Sequence, residues 1–310
     1  MTTSAAWPFL DPRMDRERVA RIAYLVAKLG YFWVADAGFM FFKRPTTARL
    51  YVASLARRGI LDAFPRRNPS DPHVYRISEL GLQWLVDEVG CDRADLWRPA
   101  AMRRRLNVPQ VRAVNRFWCS LAAAVAKHPQ TRLQRFIHER QLRRMKAPSC
   151  PVVPDAMAVL RLAANDGADA AAGRLVVVAL EQDSGYERLK VWAEKTHGYL
   201  RAKRAVSFYG YRSSDLVVLA VVPSWRRAAN VARTVAAAGG GSFLYVGLAV
   251  EMEGGRALDA AIWSAAKLAT DPLAKPNLTL ADAVQAVAGT ASAIPIRPDG
   301  DLGQFSWGNP

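Results

Sequence analysis

The sequence predicts an α+β N-terminal part with helix-turn-helix spacing, followed by an α/β mixed-sheet domain. Three observations predict it. Short helical patterns joined by tight turns give way near residue 60 to a strand, a turn-rich loop and a second strand. After residue 150, apolar runs rich in β-branched residues alternate with helical patterns, as strands covered by helices on both faces do. Charge is divided unevenly: the 310 residues carry a formal +16, with 27 Lys and Arg against 12 Asp and Glu in residues 1–147 and 16 against 15 in residues 148–310. A basic half joined to a neutral half suggests a polyanion-binding module attached to a second function.

The N-terminal domain is expected over residues 15–92. Val19, Ile22, Ala23, Val26 and Leu29 recur at helical spacing from Asp15 to Gly30. A second helix is expected over 33–41. Pro45, Thr46 and Thr47 open a third over 48–58, with Leu50, Val52, Ala53 and Leu55 inward and Gly59 ending it. Three helices in so short a span have helix-turn-helix spacing. Ile60 to Phe64 and His73 to Ile77 read as two strands around a loop over 66–72, and Ser78 caps a closing helix over 79–89, with Leu82, Leu85 and Val86 turned inward. The series LARRGILDAF…HVYRISELGLQWL resembles the winged-helix DNA-binding fold. Thr46, Thr47 and Arg49 then fall in the first turn of the recognition helix, which enters the major groove of double-stranded DNA. Arg57 and Arg58 at its end, and Arg66 and Arg67 at the wing, suit phosphates or the minor groove. A solvated basic face on a protein-contact module is the alternative reading.

Residues 93–130 read as a basic helical connector. No acid occurs between Asp95 and Glu139, while nine Lys or Arg do, densest at Arg103, Arg104 and Arg105. A long helix over 106–127 carries an apolar stripe of Val111, Val114, Phe117, Trp118, Leu121 and Val125, suited to a core or a homodimer seam. A further helix is expected over 136–145, with Glu139 among basic residues.

The second domain is expected over 131–270. Asp155 opens an apolar segment over 156–162, Asn165 to Asp169 is turn-rich, and Val176 to Leu180 is a buried-strand run followed at once by Glu181, Gln182 and Asp183. A hairpin of these two strands brings Asp155 near Glu181 and Asp183. Such carboxylates suit Mg²⁺ or Mn²⁺, because hard cations take oxygen ligands, and without a cation the three would repel one another. Solvated acids at a strand end are the alternative. Strands over 215–222 and 242–250, helices over 223–238 and 257–269, and a mobile tail over 289–310 complete the reading.

Several classes are excluded. The longest uncharged apolar stretch, 234–250, is interrupted by Gly239, Gly240 and Gly241, so no membrane partner is expected. The first residues lack the basic and apolar regions of a signal peptide. Cys91, Cys119 and Cys150 form no paired motif and suit free thiols in a reducing cytoplasm.

Taken with RFIHERQLRR, VVPDAMAVLR, LVVVALEQDSGYERLKVWAEKTHGYL and LVVLAVVPSWRRAANVARTV, the chain resembles the replication-relaxation family of plasmids and other mobile elements over residues 15–250. The second domain of that family is similar in turn to the PD-(D/E)XK nuclease fold, in which a metal-binding Asp opens one strand and an acid-x-Lys triplet ends the next. Asp155 and Glu181 match the two acids, and Asp183 stands where the nucleases have Lys. The resemblance implies a migrated lysine on the following helix, Lys190 or Lys195, the latter with Tyr199 one turn on as in the supporting helix motif of some of these nucleases, and Glu139 as a supporting acid. The leading expectation is a cytoplasmic DNA-binding protein of a mobile element, needing no cofactor to bind DNA and acting in replication, transfer or transcriptional regulation. A relaxase or replication protein is a further expected partner. A metal-dependent endonuclease using Asp155, Glu181, Asp183 and Lys195 is the alternative.

Overall fold

Helix α1 (Arg16–Leu29) forms where the sequence supplies both its cap and its stripe. The Asp15 carboxylate accepts from the Arg18 N–H, Gly30 at φ 77° ends the helix, and Val19, Ile22, Leu25 and Val26 are fully buried. The computed structural model describes residues 15–64, 73–93, 96–97, 108–145, 151–163, 173–212 and 215–289. The loop with Arg66 and Arg67, the run Arg103 to Arg105, Cys150, the turn from Asn165 to Asp169 and the tail from 290 lie outside these residues. The chain divides into two compact units, with the boundary between Cys119 and Ser120.

In the first unit, the helix expected over 33–41 is replaced by three short pieces. Phe32–Trp33 is strand β1, Val34–Ala37 is helix α2, and Gly38–Met40 is a 3₁₀ turn. The aromatic pair is extended because it finds a strand partner, Phe32 opposite Tyr75 and Trp33 opposite Val74. Helix α3 (Pro45–Arg57) starts with proline at its first position. It ends in paired C-terminal bonds, Gly59 N–H to the Ala56 carbonyl and Ile60 N–H to that of Leu55, with Gly59 at φ 78°. Ala48, Val52 and Leu55 are its buried face, and Leu50, expected inward, is 67% exposed. Two residues beyond Ala48 is about 200° around a helix, so Leu50 shares the outer face. Strands β2 (Leu61–Ala63) and β3 (Val74–Ile77) are antiparallel, and the sheet order is β1-β3-β2. Helix α4 (Glu79–Asp87) is capped by the Ser78 hydroxyl, which accepts from the Gly81 N–H. Gly81 is required there, because a Cβ would lie 2.2 Å from the Ile60 carbonyl oxygen.

Helix α5 (Val108–Val125) crosses the boundary. Val114, Phe117, Trp118, Leu121 and Val125 are buried within the chain, so the stripe is core and is not available as a homodimer seam.

The second unit is built on a seven-stranded sheet. Strand β4 (Thr131–His138) leads into helix α6 (Glu139–Met145), then β5 (Ala156–Leu162), β6 (Arg174–Gln182), helix α7 (Leu189–Arg204) and the small hairpin of β7 (Ser207–Phe208) and β8 (Tyr211–Arg212). Strand β9 (Leu216–Val222), helix α8 (Trp225–Ala237), β10 (Leu244–Leu248), β11 (Ala261–Ser264), helix α9 (Ala265–Thr270), β12 (Leu278–Thr279) and helix α10 (Leu280–Gly289) follow. The order is β12-β11-β10-β9-β6-β5-β4. β4, β5 and β6 form an antiparallel meander with a bulge in β4 between Leu133 and Arg135, and β6, β9 and β10 are parallel. Trp192, Tyr199, Val231, Val235 and Leu268 pack in one core with Val177, Val218 and Val246 of the sheet. Two expected helices therefore begin as strands. Phe136 to His138 pair with Ala156 to Ala158 before α6 starts, and Ile262 to Ser264 pair with β10 before α9 starts. Among the described residues no helix is long and apolar enough to cross a membrane.

Candidate functional site

Strand register builds the site. Ala156 lies opposite Leu180, so the next pair outward is Asp155 and Glu181, at the end of the β5–β6 hairpin. Asp155 Oδ2 accepts from the Gln182 N–H at 2.8 Å, and its carbonyl accepts from the Glu139 N–H at 2.9 Å. Glu181 is 1% exposed. Its Oε1 accepts from the Tyr199 hydroxyl at 2.6 Å, and Lys195 Nζ forms an ion pair with its Oε2 at 2.8 Å. Lys195 and Tyr199 reach one carboxylate because residues four apart share a helix face. Lys195 Nζ also lies 2.9 Å from Glu187 Oε1.

Burial dominates the protonation of the group. It pushes Glu181 up to about 7, against the opposing pull of Lys195, and raises Asp155 for the same reason. The Lys195 ammonium is itself penalised by burial, but the Glu181 carboxylate outweighs this and holds its pKa above the usual lysine value. Burial, then Glu181, raises Tyr199, which stays a neutral donor. Glu139 stands at the start of α6, accepts from Arg143 Nε at 2.8 Å, and is close enough to Asp155 for its charge to contribute to the raised value.

Asp183 does not join this group. Its fully buried side chain pairs with Arg227 of α8 and accepts from the Gly185 N–H at 2.7 Å. Among the described residues no set of three or more His, Cys, Asp or Glu side chains could hold a metal ion, so the expected Asp155, Glu181 and Asp183 ligand set is not assembled. Mutual repulsion, which argued for a bound cation, is relieved by the chain itself, through Lys195 at Glu181 and Arg227 at Asp183. Sequence reasoning missed Arg227 and Glu187. One signal was present: Arg226 and Arg227 occupy the first turn of a helix, where the dipole disfavours cations, so a carboxylate partner was to be expected.

On α3, Thr46, Thr47, Arg49 and Arg57 are exposed, while Arg58 is half-buried and donates to Ser54 Oγ at 3.4 Å. Lys43 and Arg44, which sequence reasoning passed over, are exposed just before the helix. From Lys43 to Arg58 there are five cations and no acid. A cavity of about 210 Å³, lined in part by His128, Leu162, Leu258 and Val284, contains none of these residues.

No curated protein and no solved structure matches the chain. The family model for replication-relaxation matches residues 27–210, a span that takes in α3, the hairpin of Asp155 and Glu181, and the helix of Lys195 and Tyr199. With more than half of its length matched by that model, the chain belongs to the replication-relaxation family.

Proposed function

We propose that the chain is a DNA-binding protein acting in the replication of a plasmid or other mobile element, through a winged helix whose recognition helix is α3. The observation that carries this reading is the outer face of α3 and its lead-in. Lys43, Arg44, Arg49 and Arg57 are exposed, with no acid in between and no ion pair among the described residues. Two threonines in the first turn add donors and acceptors for base edges. The β2–β3 hairpin stands where a wing would follow that helix. In gel retardation with duplex DNA at low salt, the double variant Arg49→Ala, Arg57→Ala is expected to bind at least about tenfold more weakly. Wild-type retardation by that variant would remove α3 from the interface.

A second reading, metal-dependent cleavage by a PD-(D/E)XK-like unit, is favoured by one observation. Lys195 reaches Glu181 from α7 and restores an acid–lysine pair although position 183 is Asp. Asp155 and Glu181 would hold Mg²⁺ or Mn²⁺, since such ions need only one or two protein carboxylates beside phosphate and water. Bound there, the ion would polarise a phosphoryl oxygen. Lys195 would offset charge developing beside it. Supercoiled plasmid incubated with Mg²⁺, Mn²⁺ or chelator separates the readings. Retarded, uncut DNA in every lane is expected for a binding protein. Nicking that needs metal and is lost in Glu181→Ala would establish the enzyme instead.

A further inference from the structure

The segment between β6 and α7 is held at both sides of one outward aromatic ring. Asp183 N–H donates to the Val221 carbonyl at 2.9 Å, and the Asp183 carboxylate binds the Gly185 N–H. Gly185, at φ 89°, lies against Pro223, and an added Cβ there would meet it at 3.3 Å. Arg227 donates to the Glu187 carbonyl while Lys195 holds the Glu187 carboxylate. Tyr186, between these two fixed residues, is 92% exposed. Trp225 begins α8 beyond the turn at Pro223 and Ser224; it packs on Trp263 with ring centroids 5.7 Å apart and keeps 38% of its surface exposed.

The charges around these rings are sorted by sign. Asp183 and Glu187 are turned inward onto Arg227 and Lys195. Arg188 and Arg226 are exposed and form no ion pair among the described residues. The exposed residues of this segment and of the neighbouring start of α8 therefore include two aromatic rings and two guanidinium groups, close after the end of β6 that bears Glu181.

We propose that this rim binds unpaired DNA, with Tyr186 and Trp225 stacking on bases and Arg188 and Arg226 engaging phosphates. Every base has a π-face, so stacking tolerates any sequence, whereas a duplex keeps those faces covered. A fixed loop suits the purpose, because little backbone freedom around Tyr186 is left to lose on binding. The surface belongs to the second unit and does not depend on the reading of α3.

The test is fluorescence anisotropy of the full chain with a labelled oligothymidylate of about 16 nucleotides, a span suited to such surfaces, and with a duplex of equal length. Tyr186→Ala is expected to weaken single-strand binding by about tenfold and leave duplex binding unchanged. Tyr186→Phe, which keeps the ring face, is expected to bind as wild type does. Arg188→Ala with Arg226→Ala is expected to reduce the salt dependence of single-strand binding by about one to two ions. No wild-type affinity for the single strand, wild-type affinity in Tyr186→Ala, or an equal loss on strand and duplex would each overturn the proposal. If Arg49→Ala with Arg57→Ala left duplex binding intact while Tyr186→Ala lost the single strand, the α3 reading would fail and this one would stand.

Discussion

Glu181 lies in a nearly dry site, where burial and, across the hairpin, the Asp155 carboxyl disfavour its charge while the Lys195 ammonium and the Tyr199 hydroxyl favour it. The balance leaves its pKa at about 7, against an ordinary 4.5. Between those values the folded chain holds a proton that the unfolded chain has released, so stability falls as pH rises through the window. Burial raises Asp155 in the same sense. Glu181→Gln removes the larger titration, and thermal unfolding between pH 5 and 8 is expected to show a flatter decline, by on the order of 1–3 kcal/mol. A variant whose melting temperature falls as steeply as that of wild type would place the titration elsewhere. These residues were legible because two local periods suffice: strand register sets Asp155 opposite Glu181, and four-residue helical spacing aligns Lys195 with Tyr199. Asp183 was misassigned for the converse reason. Its partner Arg227 lies 44 residues away, and only the path of α8 across the sheet decides which carboxylate it meets.

Helix ends were read correctly where the signal is local. Asp15 and Ser78 cap α1 and α4, and Gly30 and Gly59 end α1 and α3, because each acts on backbone groups within a turn of itself. Elements were misread where a distant strand decides: Trp33, Phe136 to His138 and Ala261 to Ser264 follow apolar patterns that suit either helix or strand until a pairing edge is present. Leu50 shows that an apolar residue on a helix need not face inward when Ala48, Val52 and Leu55 already complete the stripe. Gly81→Ala improves local helix propensity, yet its methyl group meets backbone, so α4 must shift off β2. The expected result is a loss of about 2 kcal/mol or more in denaturant unfolding. A variant as stable as wild type would show that the contact can relax.

Across the whole molecule the excess positive charge lies in the N-terminal half, and that asymmetry was the most legible feature of all, since counting residues requires no fold. It also sets how binding responds to salt. Every phosphate that the protein ceases to neutralise makes the dependence of log affinity on log salt shallower by about 0.9, so removing Arg49 and Arg57 together is expected to reduce the duplex slope by about 1–2. An unchanged slope would mean that the excess charge of the N-terminal half works from elsewhere, such as the arginine run at 103–105. The bulge in β4 bears on a hazard of a different kind. β4 is the outermost described strand on its side of the sheet and, among the described residues, pairs with β5 alone, and the outer row of backbone groups of such an edge strand is the one that a further extended chain could pair with. The irregularity at Leu133 and Arg135 interrupts that row, and Arg132 is exposed on the same strand. A neighbouring copy seeking an edge to extend meets a bent strand bearing positive charge, which guards the sheet under Glu181 against growth into an aggregate.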